Sequence, residues 1–572
     1  MGNTPLGWAA RNGHEEVVEL LLGRDDIDPN KPGEYDQTPL LLAIFNGHEG
    51  VVKMLLKRDD VNPTKSDSMG HTPLSVATYK GHEEAVRMLL RRDEVDPNEP
   101  DEDGQTPLSC AAQYGYEGVV KILLGRDDVD LDKPDRDGYT ALLLAVGGGH
   151  ERVVKLLLER QDVATGKPNK YGQTPLSVAA QAGEEGVVKM LLRHPSKLSL
   201  YDDTALLQAA RGGHEEVVKI LLEREEVNPD KAGRDGGTPF HCAAGNGHEE
   251  VVKILLGREE VNPNKQDLDG QTPLNCAVRY GHEGVVKILL GREDVNPNRP
   301  DRDGQAPLYY AARYGHDGVM KILLGRDDVN PNRPDRDGLT PLYYAARYGH
   351  EGVVRVLLER DEVNPDKPDK CGQTPLWWAA WSGSEAIVKI LLGRDDVDPN
   401  KPNNRGRTPL WSAAGNGYEA VVKILLGRGD INPDKPDEYG QTPLSLAAET
   451  GHGGVVKILV GRADVNPDAP DMNGQTPLHC AAENGHEDVV KILLRRGDIN
   501  PDKPDDRGQT PLSWAAENGR AGVVELLLER DDVSPDKPDN QGQTALSYAY
   551  SNGYTRVIAL LQRQVAVTHH TD

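Results

Sequence analysis

The residues best equipped for chemistry are eleven histidines that each follow a glycine: His14, His48, His82, His150, His214, His248, His282, His316, His350, His452 and His486. So many imidazoles suggest a metal array. Equivalent atoms of adjacent packed helical units lie about 10 Å apart, whereas zinc takes its ligands at about 2 Å. Neighbouring copies therefore cannot share an ion, and the pattern predicts a structural role at the start of a helix. "DRDG" at Asp135–Gly138, Asp301–Gly304 and Asp335–Gly338 opens like a calcium loop. Such a loop needs a Glu at its twelfth position, and counting from Asp301 places Ala312 there. These segments read as turns. Acidic pairs such as Asp327 and Asp328 recur in connection after connection with no nucleophile beside them, which predicts solvated turn charge. No phosphate-binding loop, dinucleotide fingerprint or Ser-His-Asp set occurs. The expectation is a non-enzymatic protein with no cofactor, metal or catalytic residue.

A second set of residues is suited to recognition. "PLYYAARYGH" occurs at Pro307–His316 and again at Pro341–His350, 34 residues later. That spacing belongs to the whole chain. Thr4, Thr38, Thr72, Thr106, Thr140 and Thr174 recur every 34 residues; the next interval, to Thr204, is 30. The period then resumes at Thr238 and runs through Ala306 to Thr544, making 17 copies with one four-residue deletion. A chain of 572 residues is too long for a single core, and a repeat array explains its length.

The unit from Asp505 to Pro538 shows the grammar. Thr510 is a helix N-cap and Pro511 fits the first helical position, where no backbone donor is needed. Leu512, Ala515 and Ala516 follow at helical spacing, and Gly519 ends the helix in the left-handed conformation. A second helix carries Val523, Val524, Leu526, Leu527 and Leu528 as an apolar stripe. Two prolines among aspartates then break the helix, and Gly508 marks the turn that opens the unit. No unit can bury its own stripe, so neighbours must stack into a solenoid.

These residues closely resemble the ankyrin repeat, whose elements appear here as "DGQTPL", "AAxxGH", "VVKILL" and "DDVNP". The resemblance implies an all-α ankyrin-repeat solenoid of helix-turn-helix units joined by extended turns. The unit departs from the family in having 34 residues rather than the commoner 33, and in keeping the His after TPL only at His241 and His479. The uniformity also resembles arrays at the C-terminal end of fungal signalling proteins with nucleotide-binding cores. Asn330 and its equivalents match a position at which animal ankyrin repeats can be hydroxylated; a hydrogen-bonding role is expected here.

The expected organisation is repeats 1–6 over residues 1–193, a shortened irregular repeat 7 over 194–232, and repeats 8–17 with a C-terminal cap over 233–572. Repeat 1 starts almost at its threonine, and its exposed side is expected to keep the internal-type residues Leu6, Ala9 and Leu21 in place of a polar cap. This suggests a missing N-terminal cap, with either a further domain before Met1 in the natural gene product or a shortened form of it. At the other end Arg556, Gln562 and Gln564 interrupt the apolar pattern as a cap would. The deletion in "LLRHPSKLSLYDDTALLQAA" predicts a kink or an interrupted groove between repeats 6 and 7.

A formal net charge of −26 argues against non-specific binding to nucleic acid or anionic membranes. No apolar run approaches a membrane span, and the N-terminus is neither a signal peptide nor a myristoylation site. The five cysteines are scattered without a CxxC pair; an intracellular, cytoplasmic location is the simplest expectation.

In so uniform a frame, function should lie in the positions that vary. Counting each unit from the Asp of its turn puts the threonine at position 6, and positions 10, 13 and 14 then share one face of the first helix. In the ankyrin family this face and the turn tips line the groove that binds partners. The resemblance thus assigns partner contacts to Arg279 and Tyr280 in repeat 9, and to Arg302, Tyr310, Arg313 and Tyr314 in repeat 10. It adds Arg336, Tyr344, Arg347 and Tyr348 in repeat 11, Trp377, Trp378 and Trp381 in repeat 12, and Trp411 in repeat 13. Tyr309 and Tyr343 take the family's histidine position and are expected half-buried. From Arg299 to Tyr348 the balance is eight Lys or Arg against seven Asp, so this stretch is locally cationic within an acidic chain. Position 13 turns acidic at Glu449, Glu483 and Glu517. Tyr, Trp and Arg are the residues enriched at interface hot spots. The expected function is protein–protein interaction, with a protein or peptide held in the groove and a basic segment of it meeting repeats 14–16. The alternatives are a mechanical or self-associating scaffold, the recognition arm of a larger nucleotide-binding signalling protein, and stacking of single-stranded nucleic acid or a sugar on the aromatic patch.

Overall fold

A computed structural model of the chain describes residues 3–195 and 203–568. Among them are 34 α-helices, one short 3-10 turn at Glu34–Asp36 and no strand. Each repeat contributes two helices, here called A and B. Repeat 10 has Pro307–Tyr314 and Asp317–Leu324, and repeat 11 has Pro341–Tyr348 and Glu351–Leu358. No helix among the described residues is long and apolar enough to cross a membrane.

Local chemistry sets these boundaries. The Thr340 hydroxyl accepts the backbone N–H of Tyr343 at 3.3 Å, and Pro341 occupies the first turn. Repeat 10 departs from this pattern: Ala306 has no side-chain oxygen, so its helix A starts without a side-chain cap and the Tyr309 N–H bonds the Ala306 carbonyl instead, at 2.9 Å. Gly315 ends that helix at φ 78°. A Cβ there would lie 2.5 Å from Nδ1 of His350 in the next repeat, so both conformation and space demand glycine.

The contacts divide the chain into two compact units, Met1–Leu268 and Asp269–Asp572. Within each unit, helix A packs on helix A of the next repeat and helix B on helix B. In repeat 10, Leu308, Ala311, Ala312, Val319, Met320 and Leu323 are buried. Small alanines let the A helices approach, and each fully buried large side chain contributes about 1.5–3 kcal/mol.

The histidines of the GH pairs form part of the frame. Nε2 of His350 donates to the carbonyl of Arg313 at 2.9 Å, and Nε2 of His316 to that of Arg279 at 3.0 Å. His150, His248, His452 and His486 reach back in the same way to Gln113, Arg211, Gly415 and Glu449. Each ring ties its repeat to the preceding helix A, so the structural role predicted for this position is correct.

The acidic pairs are not merely solvated. Asp328 receives both Nε and Nη2 of Arg326 at 2.9 and 2.8 Å, while Nη1 of the same guanidinium caps the Leu290 carbonyl at 3.1 Å. The arginine bond holds the Asp328 carboxyl below the ordinary carboxylate range. Asn330 accepts the backbone N–H of Asn332 at 2.9 Å, the hydrogen-bonding role expected of it.

At the start of the chain Leu6 and Ala9 are buried against repeat 2, and Leu21 is half-buried. The apolar residues left exposed there are Trp8, Val17 and Leu20, which corrects the expected set. Helix A packs onto its neighbour through the face that carries Leu6 and Ala9. At the other end, Arg556 and Gln562 are exposed along the last helix. The expected kink between repeats 6 and 7 falls on residues 196–202, outside the described residues. The A helices on either side, Pro175–Ala182 and Asp203–Gly212, pack directly, and His214 bonds the Gln181 carbonyl at 2.9 Å.

Candidate functional site

In the second unit, helices A of repeats 9–13 bring the aromatic and arginine residues into one continuous arrangement, but position 10 does not face solvent. Tyr310 and Tyr344 are only 3% and 6% exposed. The Tyr310 hydroxyl donates to Asp301 Oδ2, and that of Tyr344 to Asp335 Oδ2 at 2.7 Å. The indole N–H of Trp378 makes the equivalent bond to Asp369 at 3.3 Å. Each of these aromatics fastens its helix to the first residue of its own turn. Burial, and then the bond to the aspartate, push the Tyr310 and Tyr344 hydroxyls well above the usual tyrosine range.

The turn aspartates are fully engaged in the same network. Asp301 Oδ1 accepts the backbone N–H groups of Asp303 and Gln305 at 2.9 and 2.8 Å. "DRDG" is thus a turn whose carboxylate is used by the protein itself. Position 9 is buried too. Tyr309 and Tyr343 lie in the packing between repeats rather than half-buried, with Tyr309 edge-on to Tyr344 at 4.5 Å and Tyr343 edge-on to Trp378 at 5.3 Å. Trp377 and Trp411 are likewise buried. Tyr310, Tyr344, Trp377, Trp378 and Trp411 are therefore supports of the surface and not its exposed members. The physical reason is that Tyr310, Tyr344 and Trp378 at position 10 reach their own turn aspartate nine residues back, whereas Trp377 and Trp411 stand at position 9, where the side chain is buried.

What faces solvent is a ladder of positions 13 and 14. Tyr280 is 60% exposed, Tyr314 41%, Tyr348 44% and Trp381 43%. Arg279, Arg313 and Arg347 are half-buried between them, and Arg302 and Arg336 are exposed at the turn tips. The guanidinium of Arg313 donates to the Tyr309 hydroxyl at 2.6 Å and lies over the Tyr348 ring at 5.5 Å. Arg347 repeats this, with Tyr343 at 2.7 Å and the Trp378 ring at 4.4 Å. Arg279 sits over the rings of Tyr310 and Tyr314 at 5.9 and 6.0 Å. Aromatic faces and hydroxyls hold these cations, whereas Arg326 and its equivalents are matched to carboxylates. A cation held over a ring gains about 0.5–2 kcal/mol and keeps its charge available to an anion.

Two cavities flank the ladder. One of about 500 Å3 lies between repeats 9 and 10, beside Arg279, Arg302, Arg313 and Tyr314. The other, of about 480 Å3, lies between repeats 12 and 13 and is lined by Trp377, Trp381, Arg407, Trp411, Ser412 and Gly415. It opens where position 10 shrinks from Trp378 to Ser412 and position 13 from Trp381 to Gly415. The indole N–H groups of Trp377 and Trp411 are buried here without a hydrogen-bond partner. A histidine at this position behaves differently: Nε2 of His479 bonds the Gln509 carbonyl of the next repeat at 3.1 Å.

Further along the same unit, position 13 carries carboxylates. The Gln509 amide holds Glu517 at 2.8 Å, and the Gln441 amide holds Glu449. Burial, and then the charges of Glu449 and Glu517, raise the Glu483 carboxyl above its ordinary range. The backbone carbonyls at position 13 are the groups that the next repeat's histidine grips, a link between frame and surface that sequence spacing did not disclose. Its signal was there all the same, as a constant offset of 37 residues between donor and acceptor.

No curated protein matches the sequence. The family described as "Ankyrin repeats (3 copies)" matches in overlapping segments from residues 1–67 and 58–135 through to 454–539 and 499–570, so that it spans the length of the sequence. With the two-helix unit, the capping threonine and the histidine tie all in place, this chain belongs to the ankyrin-repeat family.

Proposed function

We propose that the chain is a non-enzymatic recognition scaffold that holds a protein or peptide along helices A of repeats 9–13, with a basic part of the partner over repeats 14–16. Ankyrin repeats are generally protein–protein interaction modules, which supplies the class. The observation that carries the finer reading is the exposed ladder of Tyr280, Tyr314, Tyr348 and Trp381, alternating with arginines held by aromatic groups. Large rigid aromatics and arginine are the groups whose removal costs most at interfaces. The carboxylates of Glu449, Glu483 and Glu517 support the basic segment, because Glu483 gains from any cation that relieves its neighbours' charge.

The test is capture of partners from the source cell's lysate by the wild type and by a Tyr314→Ala, Tyr348→Ala, Trp381→Ala variant, after circular dichroism has shown equal helix content. A protein retained only by the wild type supports the reading. Identical sets from both sink it and favour a scaffold that sets length or associates with itself.

A further inference from the structure

We propose that the second unit reads one extended peptide of split charge: an acidic run over repeats 9–11, a bulky residue seated between repeats 12 and 13, and a basic run over repeats 14–16. The inference rests on the recognition reading above and specifies the partner's chemistry and order.

It starts from position 13. Through eight consecutive repeats this position holds Arg279, Arg313, Arg347, Trp381, Gly415, Glu449, Glu483 and Glu517. Three cations, a large ring, a gap and three carboxylates follow one another without a break in the frame. The cations are oriented by Tyr309, Tyr343 and the rings of Tyr314, Tyr348 and Trp378. The carboxylates lie at equivalent positions of successive repeats, and Glu483 in the middle is half-buried between the charges of Glu449 and Glu517. The two ends therefore ask for opposite charges, and a uniformly charged ligand meets repulsion at one end.

Between them lies the cavity of about 480 Å3. Its walls are mixed: the indoles of Trp377, Trp381 and Trp411 on one side and the polar groups of Asn403, Arg407 and Asn416 on the other, while the indole N–H groups of Trp377 and Trp411 stay buried in the protein. A tyrosine suits this lining: the ring packs against indole faces and the hydroxyl meets the polar wall formed by Asn403, Arg407 and Asn416.

The spacing sets a register. Repeats advance about 10 Å and an extended chain about 3.3 Å per residue, so one peptide residue in three meets each repeat. Seven steps from Arg279 to Glu517 then need about 22 residues. Charges belong at every third residue of the two ends, with the tyrosine near the centre.

The experiment uses the full chain and labelled synthetic peptides read by fluorescence anisotropy at physiological salt. The probes are a 22-residue peptide with Glu at positions 1, 4 and 7, Tyr at 11 and Lys at 16, 19 and 22, its reversed sequence, the two separate halves, an all-acidic version and a scramble. One orientation is expected to bind at least about tenfold tighter than every other probe, because joining two weak contacts raises effective concentration. In an Arg313→Glu, Arg347→Glu, Glu449→Lys, Glu483→Lys variant the preference for one orientation should pass to its reverse. Two double variants, one for each end, should each abolish the advantage of joining and cover the case in which the fourfold variant fails to fold. Equal binding of the scramble or of the all-acidic peptide overturns the split-charge inference while leaving the recognition reading in place. If no probe binds, and light scattering shows a doubled mass that Arg313→Glu with Arg347→Glu removes, the surface meets a second copy of the chain and both readings fall.

Discussion

Repeats 9–11 and repeats 14–16 share one frame and differ in how they hold charge. In the first, Arg313 and Arg347 are fixed by hydroxyls and rings on the same or the next helix A. In the second, Glu449 and Glu517 are met by glutamine amides, and Glu483 feels both of their charges. The cationic stretch is arranged before any ligand arrives. In the acidic stretch Glu483 is raised first by its burial and then by the charges of Glu449 and Glu517. The same frame thus carries arginines held by rings and hydroxyls in one stretch and carboxylates held by amides in the other.

The comparison breaks most readily at position 10. Tyr344→Ala removes a buried ring and should cost about 3–5 kcal/mol locally, whereas Cys480→Ala at the same position of repeat 15 should cost about 1 kcal/mol. Hydrogen exchange resolved by repeat measures both. Equal losses would mean that the aromatics do no more for their stretch than a thiol does for its own. Deleting only the hydroxyl is the next largest change. Tyr344→Phe loses the bond to Asp335 and should cost about 1.5–3 kcal/mol, as bonds to charged groups do. Tyr348→Phe, on the exposed edge, should leave exchange rates almost unchanged.

Ala306→Thr sharpens the comparison from the other side. It restores the missing cap of repeat 10 and should gain about 1 kcal/mol, seen as slower exchange in Pro307–Tyr314. No gain would show that the tyrosine network already fixes that helix start. The smallest effect belongs to Glu483→Gln. The folded carboxyl titrates above its ordinary value, so its charge is a cost at neutral pH that vanishes as pH falls through that raised value. The substitution should therefore stabilise by about a few tenths of a kcal/mol at pH 7 after solvent screening, and by nothing once the solution is acid enough to protonate the wild-type residue. A chemical melt at the two pH values checks both the sign and the window.

Much of this was legible in the sequence because it depends on local chemistry. Thr340 caps, Pro341 fits the first turn, Gly315 takes positive φ and the alanines pack, each within a few residues of its cause. The candidate surface was legible as a set of varying positions but not as a set of exposed ones. Helical geometry places positions 10, 13 and 14 on one face. It cannot reveal that a side chain at position 10 bends to its own turn aspartate, which moves Tyr310, Tyr344 and Trp378 from the surface into its support. The histidine partners and the double duty of Arg326 were hidden for a different reason: their acceptors lie 36 or 37 residues away in the preceding repeat. The cavity beside Trp381 arises from Ser412 and Gly415, residues too small to draw notice on their own.

The histidine tie has one further consequence, for how such an array evolves. Its acceptor is the main-chain carbonyl of position 13, a group that every amino acid carries. The joint therefore closes in the same way over Arg313, Gly415 or Glu449. A mutation at position 13 can change the side chain that a repeat presents without removing the acceptor of the histidine bond, and what it costs at the seam is only the side chain's own contacts, such as that of Arg313 with the Tyr348 ring. Selection for a new partner and selection for a sound stack then act on different atoms of the same residue.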